Sequence, residues 1–236
     1  MTMHLFYNPH IQGDTFVLEE QESKHAIRVL RLLKGDQVIL VDGRGNWYEA
    51  VIVDDHPKRC MLQIIKHTPD YKPLNYALHM AVAPTKNLDR FEWFLEKATE
   101  MGISEITPLI CARSERRQVK MDRLDRILIS AMKQSLKAFK PILHEPRSME
   151  DFIKMDHQGT LGIAHCYPSE RRGIQEMELS GKYTMMVGPE GDFTDEEVAA
   201  ALKAAYIPFH LGDSRLRTET AAVYITAAIS FSHLKT

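Results

Sequence analysis

The chain of 236 residues is short of cysteine, of long apolar runs and of net charge, and each shortage closes off a class of protein. Its three cysteines, Cys60, Cys111 and Cys166, are odd in number and far apart, with no CxxC or Cys/His ligand spacing. That pattern argues against a disulfide framework and a zinc site, and the thiols are expected to be reduced and mostly buried. No run approaches the length needed to cross a bilayer, and Met1-Thr2-Met3-His4 carries no basic and apolar leader pattern, so a soluble cytoplasmic protein is expected. A formal net charge of -2 gives no global attraction to nucleic acid, so RNA binding would depend on local patches. Internal repeats and low-complexity tracts are also lacking. What is present is 44% hydrophobic residues, enough for a real core in one large domain or two of unequal size.

The most informative stretch runs from Gly188 to Ala221. Two loops, Gly188-Pro189-Glu190-Gly191 and Leu211 to Ala221, each follow a short apolar run of strand type, Tyr183 to Val187 and Ile207 to Leu211. Both lead into helices, which places them at the carboxyl edge of a parallel sheet, where ligands of open α/β sheets bind. The intervening helix is strongly signalled: Thr194 and Glu197 form a capping box, Phe193 and Val198 have staple spacing, and Asp195 and Glu196 suit the helix dipole.

Before residue 70 the chain reads as short strands, at His4 to Tyr7, Thr15 to Leu18, Gln37 to Val41, Tyr48 to Val53 and Cys60 to Ile65. Asp42-Gly43-Arg44-Gly45-Asn46 is a hairpin-type connection, and the whole predicts a small, mostly antiparallel barrel. One helix interrupts it from Glu22 to Leu33, with Ala26, Ile27, Leu30 and Leu33 on one face. Lys24, Arg28, Arg31 and Lys34 make a basic surface: either a solvated helix face or a set of RNA-phosphate contacts. Pro69 and Pro73 mark the boundary, giving domains at 1–70 and 74–236.

Strands and helices alternate in the second domain. Tyr76 to Val82 is a strand, Asn87 to Met101 a helix stopped by Gly102, and Ile103 to Ile110 the next strand. A helix from Arg123 to Ala138, strands at Thr160 to Ala164, Tyr183 to Val187 and Ile207 to Leu211, and a last helix from Thr218 to Leu234 follow. The alternation predicts an α/β fold, a parallel sheet covered on both faces. Ala221, Ala222, Ala227 and Ala228 let the last helix approach the sheet or a second subunit closely.

The loops carry the chemistry. Gly188-Pro189-Glu190-Gly191 is neither a Walker loop nor GxGxxG, and such glycines serve either a tight turn or backbone contact with a ligand. At the second loop, Thr218 is a candidate N-cap, and Glu219 suits the helix start. Arg217 does not suit it, because the dipole disfavours a cation there; a negative partner is implied.

Gly188-Pro189-Glu190-Gly191-Asp192-Phe193 with Leu211-Gly212 and Leu216-Arg217-Thr218-Glu219-Thr220-Ala221 resembles the paired signature of the RsmE family, SPOUT-superfamily methyltransferases of 16S ribosomal RNA. His25-Ala26-Ile27-Arg28-Val29-Leu30-Arg31, Gly35-Asp36, Asp42-Gly43, Glu96 to Gly102, Arg113-Ser114 and Gln134-Ser135 fall in place along nearly the whole chain. Asp192 stands for a usual second glycine, just outside the tightest turn, Met101 for a leucine, and Lys137-Ala138 follows where an arginine is common.

The resemblance implies an N-terminal PUA-like β-barrel for RNA and a SPOUT-type trefoil-knotted α/β methyltransferase domain, working as a homodimer. It implies S-adenosylmethionine as cofactor, the small ribosomal subunit as partner, and methylation at N3 of a specific decoding-region uridine without a metal. Cofactor contacts are expected from Ala83, Pro84, Thr85, Lys86, Gly188, Pro189, Glu190, Gly191, Leu211, Gly212, Leu216, Arg217, Thr218 and Thr220. Arg217 is the expected catalytic cation, with Glu219 or Glu190 as proton acceptor. RNA is expected across Lys24, His25, Arg28, Arg31, Arg113, Arg116 and Arg117. The alternative is a non-catalytic ribosome-assembly factor that keeps the fold.

Overall fold

The computed structural model describes residues 3–167, 171–177 and 181–234; Met1 and Thr2 of the N-terminal tetrapeptide lie outside them. The chain divides into two compact units, Met1–Pro73 with Met132–Lys140, and Leu74–Ala131 with Pro141–Thr236.

In the first unit, strands β1 (Leu5–Tyr7), β2 (Thr15–Val17), β3 (Gln37–Val41), β4 (Trp47–Asp54) and β5 (Met61–Thr68) form one sheet in the order β1-β3-β4-β5-β2. Every pairing is antiparallel except β1 with β3. Period-two alternation makes both faces apolar: Val38 and Leu40 join a cluster with Phe6, Ala26 and Leu62, while Ile39 and Val41 pack with Trp47, Met132 and Ala138. The Asp42 carboxylate fastens the β3–β4 connection by accepting from the Arg44 amide at 2.8 Å and from the Asn46 side chain at 2.6 Å.

The basic helix is shorter than its periodicity predicts. Helix α1 (Glu20–Lys24) passes into a π-helical turn at His25–Val29, where the Leu30 amide reaches back five residues to the His25 carbonyl at 3.0 Å. Arg31 then adopts φ +58°, and the wider turn re-phases the chain. Leu32 takes the buried place expected of Leu33, which is 63% exposed.

The second unit is built on strands β6 (Ala77–Val82), β7 (Glu105–Ile110), β8 (Ile142–Leu143), β9 (Arg147–Ser148), β10 (Thr160–Ala164), β11 (Arg172–Gly173), β12 (Lys182–Val187) and β13 (Ile207–His210). Their order is β11-β13-β10-β12-β6-β7-β8, with β9 also on β7, and every pairing is parallel. Alternate residues again divide between faces. Leu78, Met80 and Val82 pack with Phe91, Phe94 and Leu95 of α2 (Leu88–Met101), Leu124 and Leu128 of α3 (Met121–Gln134) and Ala222 and Ile225 of α6 (Thr218–Ser232). Ala81 and Met186 face the other way, against Phe152 of α4 (Met149–Phe152) and Ala201 of α5 (Asp195–Lys203).

Helix ends follow local chemistry. Asn87 caps α2 by accepting from the Asp89 amide, and Gly102 closes it at φ +110°. Helix α3 stops at Gln134, short of the expected Ala138, and Leu136 turns left-handed at φ +53°. Ala164, Val187 and Phe209 lie side by side in register, and Val187 pairs Val82, so the loops that follow β6, β10, β12 and β13 leave the sheet at one edge.

Candidate active site

At that carboxyl edge, a cavity of about 330 Å³ opens between the segments 164–166, 187–192 and 209–221. Ala164, Val187, Phe209, Leu211, Leu216 and Ala221 supply apolar walls, and Arg171, Glu190, Arg215 and Arg217 supply charge. A largely apolar cavity with a few converging polar groups is the usual form of a cofactor site.

The first glycine loop is heavily fastened. The Gly188 carbonyl accepts from the Thr218 hydroxyl at 3.0 Å, which ties this loop to the start of α6. Glu190 accepts from the Lys86 amide at 2.9 Å. Arg113 donates through one guanidinium nitrogen to the carbonyls of Gly191 at 3.0 Å and Phe193 at 3.1 Å, and to the Tyr167 hydroxyl at 2.9 Å. The glycines answer packing needs: a Cβ on Gly188 would lie 3.0 Å from the Phe193 ring, and one on Gly191 3.3 Å from Arg113.

Asp192 closes the turn, its amide donating to the Pro189 carbonyl at 2.9 Å, and it takes φ +60°. An aspartate tolerates this left-handed conformation because its short side chain bonds locally, and here its carboxylate accepts from the amides of Cys166 and Phe193, each at 2.8 Å. The capping box forms as expected: Thr194 N–H donates to Glu197 at 2.9 Å and Glu197 N–H to the Thr194 hydroxyl at 3.2 Å.

Of the expected cofactor residues, Gly188, Pro189, Glu190, Leu211, Gly212, Leu216, Arg217 and Thr218 line the cavity. Gly191 lines an adjoining one. Ala83, Pro84, Thr85 and Lys86 are occupied elsewhere or buried: the Ala83 amide donates to Val187, the Thr85 hydroxyl donates to the Asn87 carbonyl at 2.6 Å, and Lys86 pairs with Glu115 at 2.9 Å. Thr220 is exposed and does not line it.

Arg217, rather than Thr218, occupies the N-cap of α6, and it stands exposed on the cavity rim. Thr218 is buried, with its hydroxyl turned to Gly188. Glu219 is 7% exposed and faces Arg90 at 3.7 Å, so the structure does not bring it to the cavity.

His165 and Arg171 are cavity residues that sequence reading missed. His165 is 5% exposed, and neither ring nitrogen has a hydrogen-bond partner among the described residues. Burial pushes its pKa down, and the Arg171 charge adds to that, so the imidazole is neutral near pH 7. Arg171 donates to the His165 carbonyl, while its Nε is buried without a partner among the described residues. The available signal was positional: His165 directly follows the end of β10, but no glycine marks that loop.

The expected RNA residues separate into two kinds. Lys24, His25, Arg28 and Arg31 are exposed on the first unit, Lys24 pairing with Glu20 at 2.6 Å. In the second unit, each arginine is committed to backbone carbonyls: Arg113 as above, Arg116 to Lys86 at 2.8 Å and Arg117 to Ala112 at 2.9 Å. Their guanidinium groups hold loops in shape. Away from the cavity, His79, Glu105 and His144 form the described group with metal-ligand spacing. Glu105 there pairs with His144 at 2.6 Å, and burial drives the His79 pKa down to about 4.

Comparison with known proteins follows this division. Residues 72–230 match the RNA methyltransferase domain family and residues 18–65 the RNA methyltransferase PUA domain family. The chain is 31% identical to the ribosomal RNA small subunit methyltransferase E of Rickettsia conorii, over 85% of this chain and 83% of that one. A probable rRNA-methyltransferase from Porphyromonas gingivalis superposes with a TM-score of 0.91 at 38% identity, covering 98% of each chain. The ribosomal RNA small subunit methyltransferase E of Neisseria gonorrhoeae, solved bound to S-adenosyl methionine, gives 0.86 at 28% identity, again over 98% of each.

Proposed function

The chain belongs to the ribosomal RNA small subunit methyltransferase E family of RNA methyltransferases, and from that premise we propose that it transfers a methyl group from S-adenosylmethionine to N3 of a specific decoding-region uridine in 16S rRNA. The observation that carries the reading is the cavity between the two loops, with Arg217 on its rim. Its residues fit the cofactor. Apolar side chains at Leu211, Leu216 and Phe209 suit an adenine ring, and the unpartnered ring nitrogens of buried His165 call for a polar ligand. When bound, S-adenosylmethionine supplies an electrophilic methyl group on a sulfonium.

The chain's own residues then handle the uracil. N3 carries a proton at neutral pH, and losing it leaves negative charge spread over the ring carbonyls. Arg217 stabilises that charge from the rim, which accounts for a cation at a helix N-terminus where the dipole disfavours one. Of the two carboxylates weighed for the proton, Glu190 lines the cavity and Glu219 does not, so Glu190 takes it. Thr218 holds Gly188 and thereby sets the spacing of the two loops.

The same reading has the loops 188–191 and 211–221 form a trefoil knot, and the Thr218–Gly188 hydrogen bond holds the two loops together. Domain 1–70 is the PUA-like RNA-positioning domain and 74–236 the methyltransferase domain. Lys24, His25, Arg28 and Arg31 contact phosphates, and two chains pair through α6, whose Tyr224 and Phe231 are exposed at 47% and 77%. Such a protein works in the cytoplasm, where ribosomal subunits mature. No described helix is long and apolar enough to cross a membrane.

The test is transfer of labelled methyl from S-adenosylmethionine to small subunits lacking the modification, followed by nuclease digestion. N3-methyluridine is the expected product. Label on another nucleoside would overturn the target, and cofactor binding without transfer would favour the assembly-factor alternative.

A further inference from the structure

The cavity at the carboxyl edge continues into a second one of about 660 Å³, which shares Arg171, Asp192, His210, Ser214 and Arg215 with the first. The apolar walls of the first, such as Leu211 and Phe209, are absent from its lining; Tyr167, Arg113 and Asp213 stand there instead. We propose that this second lobe seats the target nucleotide, with its base stacked on Tyr167 and its phosphate held by Arg171 and Arg215. The proposal rests on the methyl-transfer reading above and names where that reaction's substrate binds.

Three observations support it. A base that is to be modified on its pairing edge must leave its stack and enter a pocket that offers a flat apolar face and hydrogen bonds. Tyr167 and His210 are the ring-bearing residues of the lobe, and the Tyr167 hydroxyl is pinned from two sides, donating to the Phe193 carbonyl at 2.8 Å and accepting from Arg113 at 2.9 Å. The Tyr167 ring is held before any base arrives, so stacking costs little side-chain entropy.

The charges agree. Arg171 Nε is buried without a partner among the described residues, which an oxygen acceptor would satisfy. Arg215 is exposed and makes no described hydrogen bond or ion pair among those residues. Of the acidic groups nearby, the Asp192 carboxylate is already engaged by the amides of Cys166 and Phe193, leaving Asp213 as the exposed counter-charge. Because the two lobes share a wall, a nucleotide in the second would lie beside a cofactor held in the first.

The test uses the full chain as Tyr167→Leu, Tyr167→Phe and Arg215→Gln, each checked by thermal melting. Three quantities are read: affinity for S-adenosylhomocysteine, affinity of the loaded protein for a short single-stranded uridine-containing oligoribonucleotide, and KM and kcat on unmodified small subunits. Tyr167→Leu and Arg215→Gln should each weaken oligonucleotide affinity and raise KM by about tenfold, with cofactor affinity within twofold of wild type. Tyr167→Phe should retain most of the oligonucleotide affinity, since it keeps the ring.

Unchanged oligonucleotide affinity and KM in a wild-type background that methylates subunits would overturn the lobe and leave the methyl-transfer reading intact. Equal losses in cofactor affinity would assign the lobe to the cofactor, and overturn it as well. If wild type methylates nothing yet the variants still weaken the oligonucleotide, the nucleotide seat stands and the reaction assignment falls.

Discussion

The two loops at the carboxyl edge of the parallel sheet differ in how much of their structure is fastened. In 188–193, Thr218, Lys86, Arg113 and the amides of Cys166 and Phe193 all bond to the loop's carbonyls or carboxylates. In 211–217, the Gly212 amide bonds to His210 Nδ1 at 3.1 Å, and Asp213, Ser214, Arg215 and Arg217 stand exposed. Even their glycines differ. Gly188 is demanded by the Phe193 ring against it, whereas Gly212 has φ +108° and open space around the place of a Cβ. The first loop is a fixed wall; the second presents side chains that remain available to a substrate.

The sharpest way to break this comparison is Arg217→Ala. If the second loop carries chemistry rather than architecture, methyl transfer should fall by about two orders of magnitude or more while cofactor affinity stays within a few fold. A matching loss of cofactor binding, read by calorimetry, would make Arg217 part of the cradle. Arg113→Ala should act the opposite way. It removes the three hydrogen bonds of one guanidinium and should lower stability by about 2 kcal/mol and weaken the cofactor roughly tenfold, because the wall loosens.

Smaller effects separate the two kinds of glycine. Gly188→Ala should cost about 1–3 kcal/mol in denaturant unfolding, through overpacking against Phe193. Gly212→Ala should cost about 1 kcal/mol, through backbone strain alone, with cofactor affinity changed in proportion. Thr218→Val keeps the shape and deletes the bond to Gly188, for an expected loss of about 1 kcal/mol. If Thr218→Val and Arg113→Ala were additive in a double mutant, the two fastenings would act on the wall independently; a coupling above about 0.5 kcal/mol would show that they brace it together.

Much of this arrangement was legible beforehand, where the signal was local. The capping box at Thr194 and Glu197, the Gly102 stop and the apolar periods of α2 depend on residues three or four apart, and all are found as read. Arg217 was singled out because a cation conflicts with a helix N-terminus, and it is on the cavity rim. The misreadings concern longer range. Leu33 changed places with Leu32 because a π-turn, invisible to a 3.6-residue period, lies in the chain between α1 and Leu32. Thr218 looked like an N-cap, but its hydroxyl goes to a carbonyl thirty positions away in sequence. Arg113, Arg116 and Arg117 were read for their charge alone, and what the sequence did not tell is that each guanidinium also bonds to backbone carbonyls.

By itself, then, the sequence determined the alternation of strands and helices, the two glycine loops and the place where they leave the sheet, since these follow from periodicity, capping and turn chemistry. Only the tertiary structure decided which residues share the cavity. It put Glu219 against Arg90 and out of reach, brought buried His165 and Arg171 to the cavity wall, and used Arg113 to hold that wall in place. The reason is physical: β13 follows β10 and β11 in the chain yet lies between them in the sheet, so the neighbours that meet at its edge are set by strand order, which no local pattern encodes.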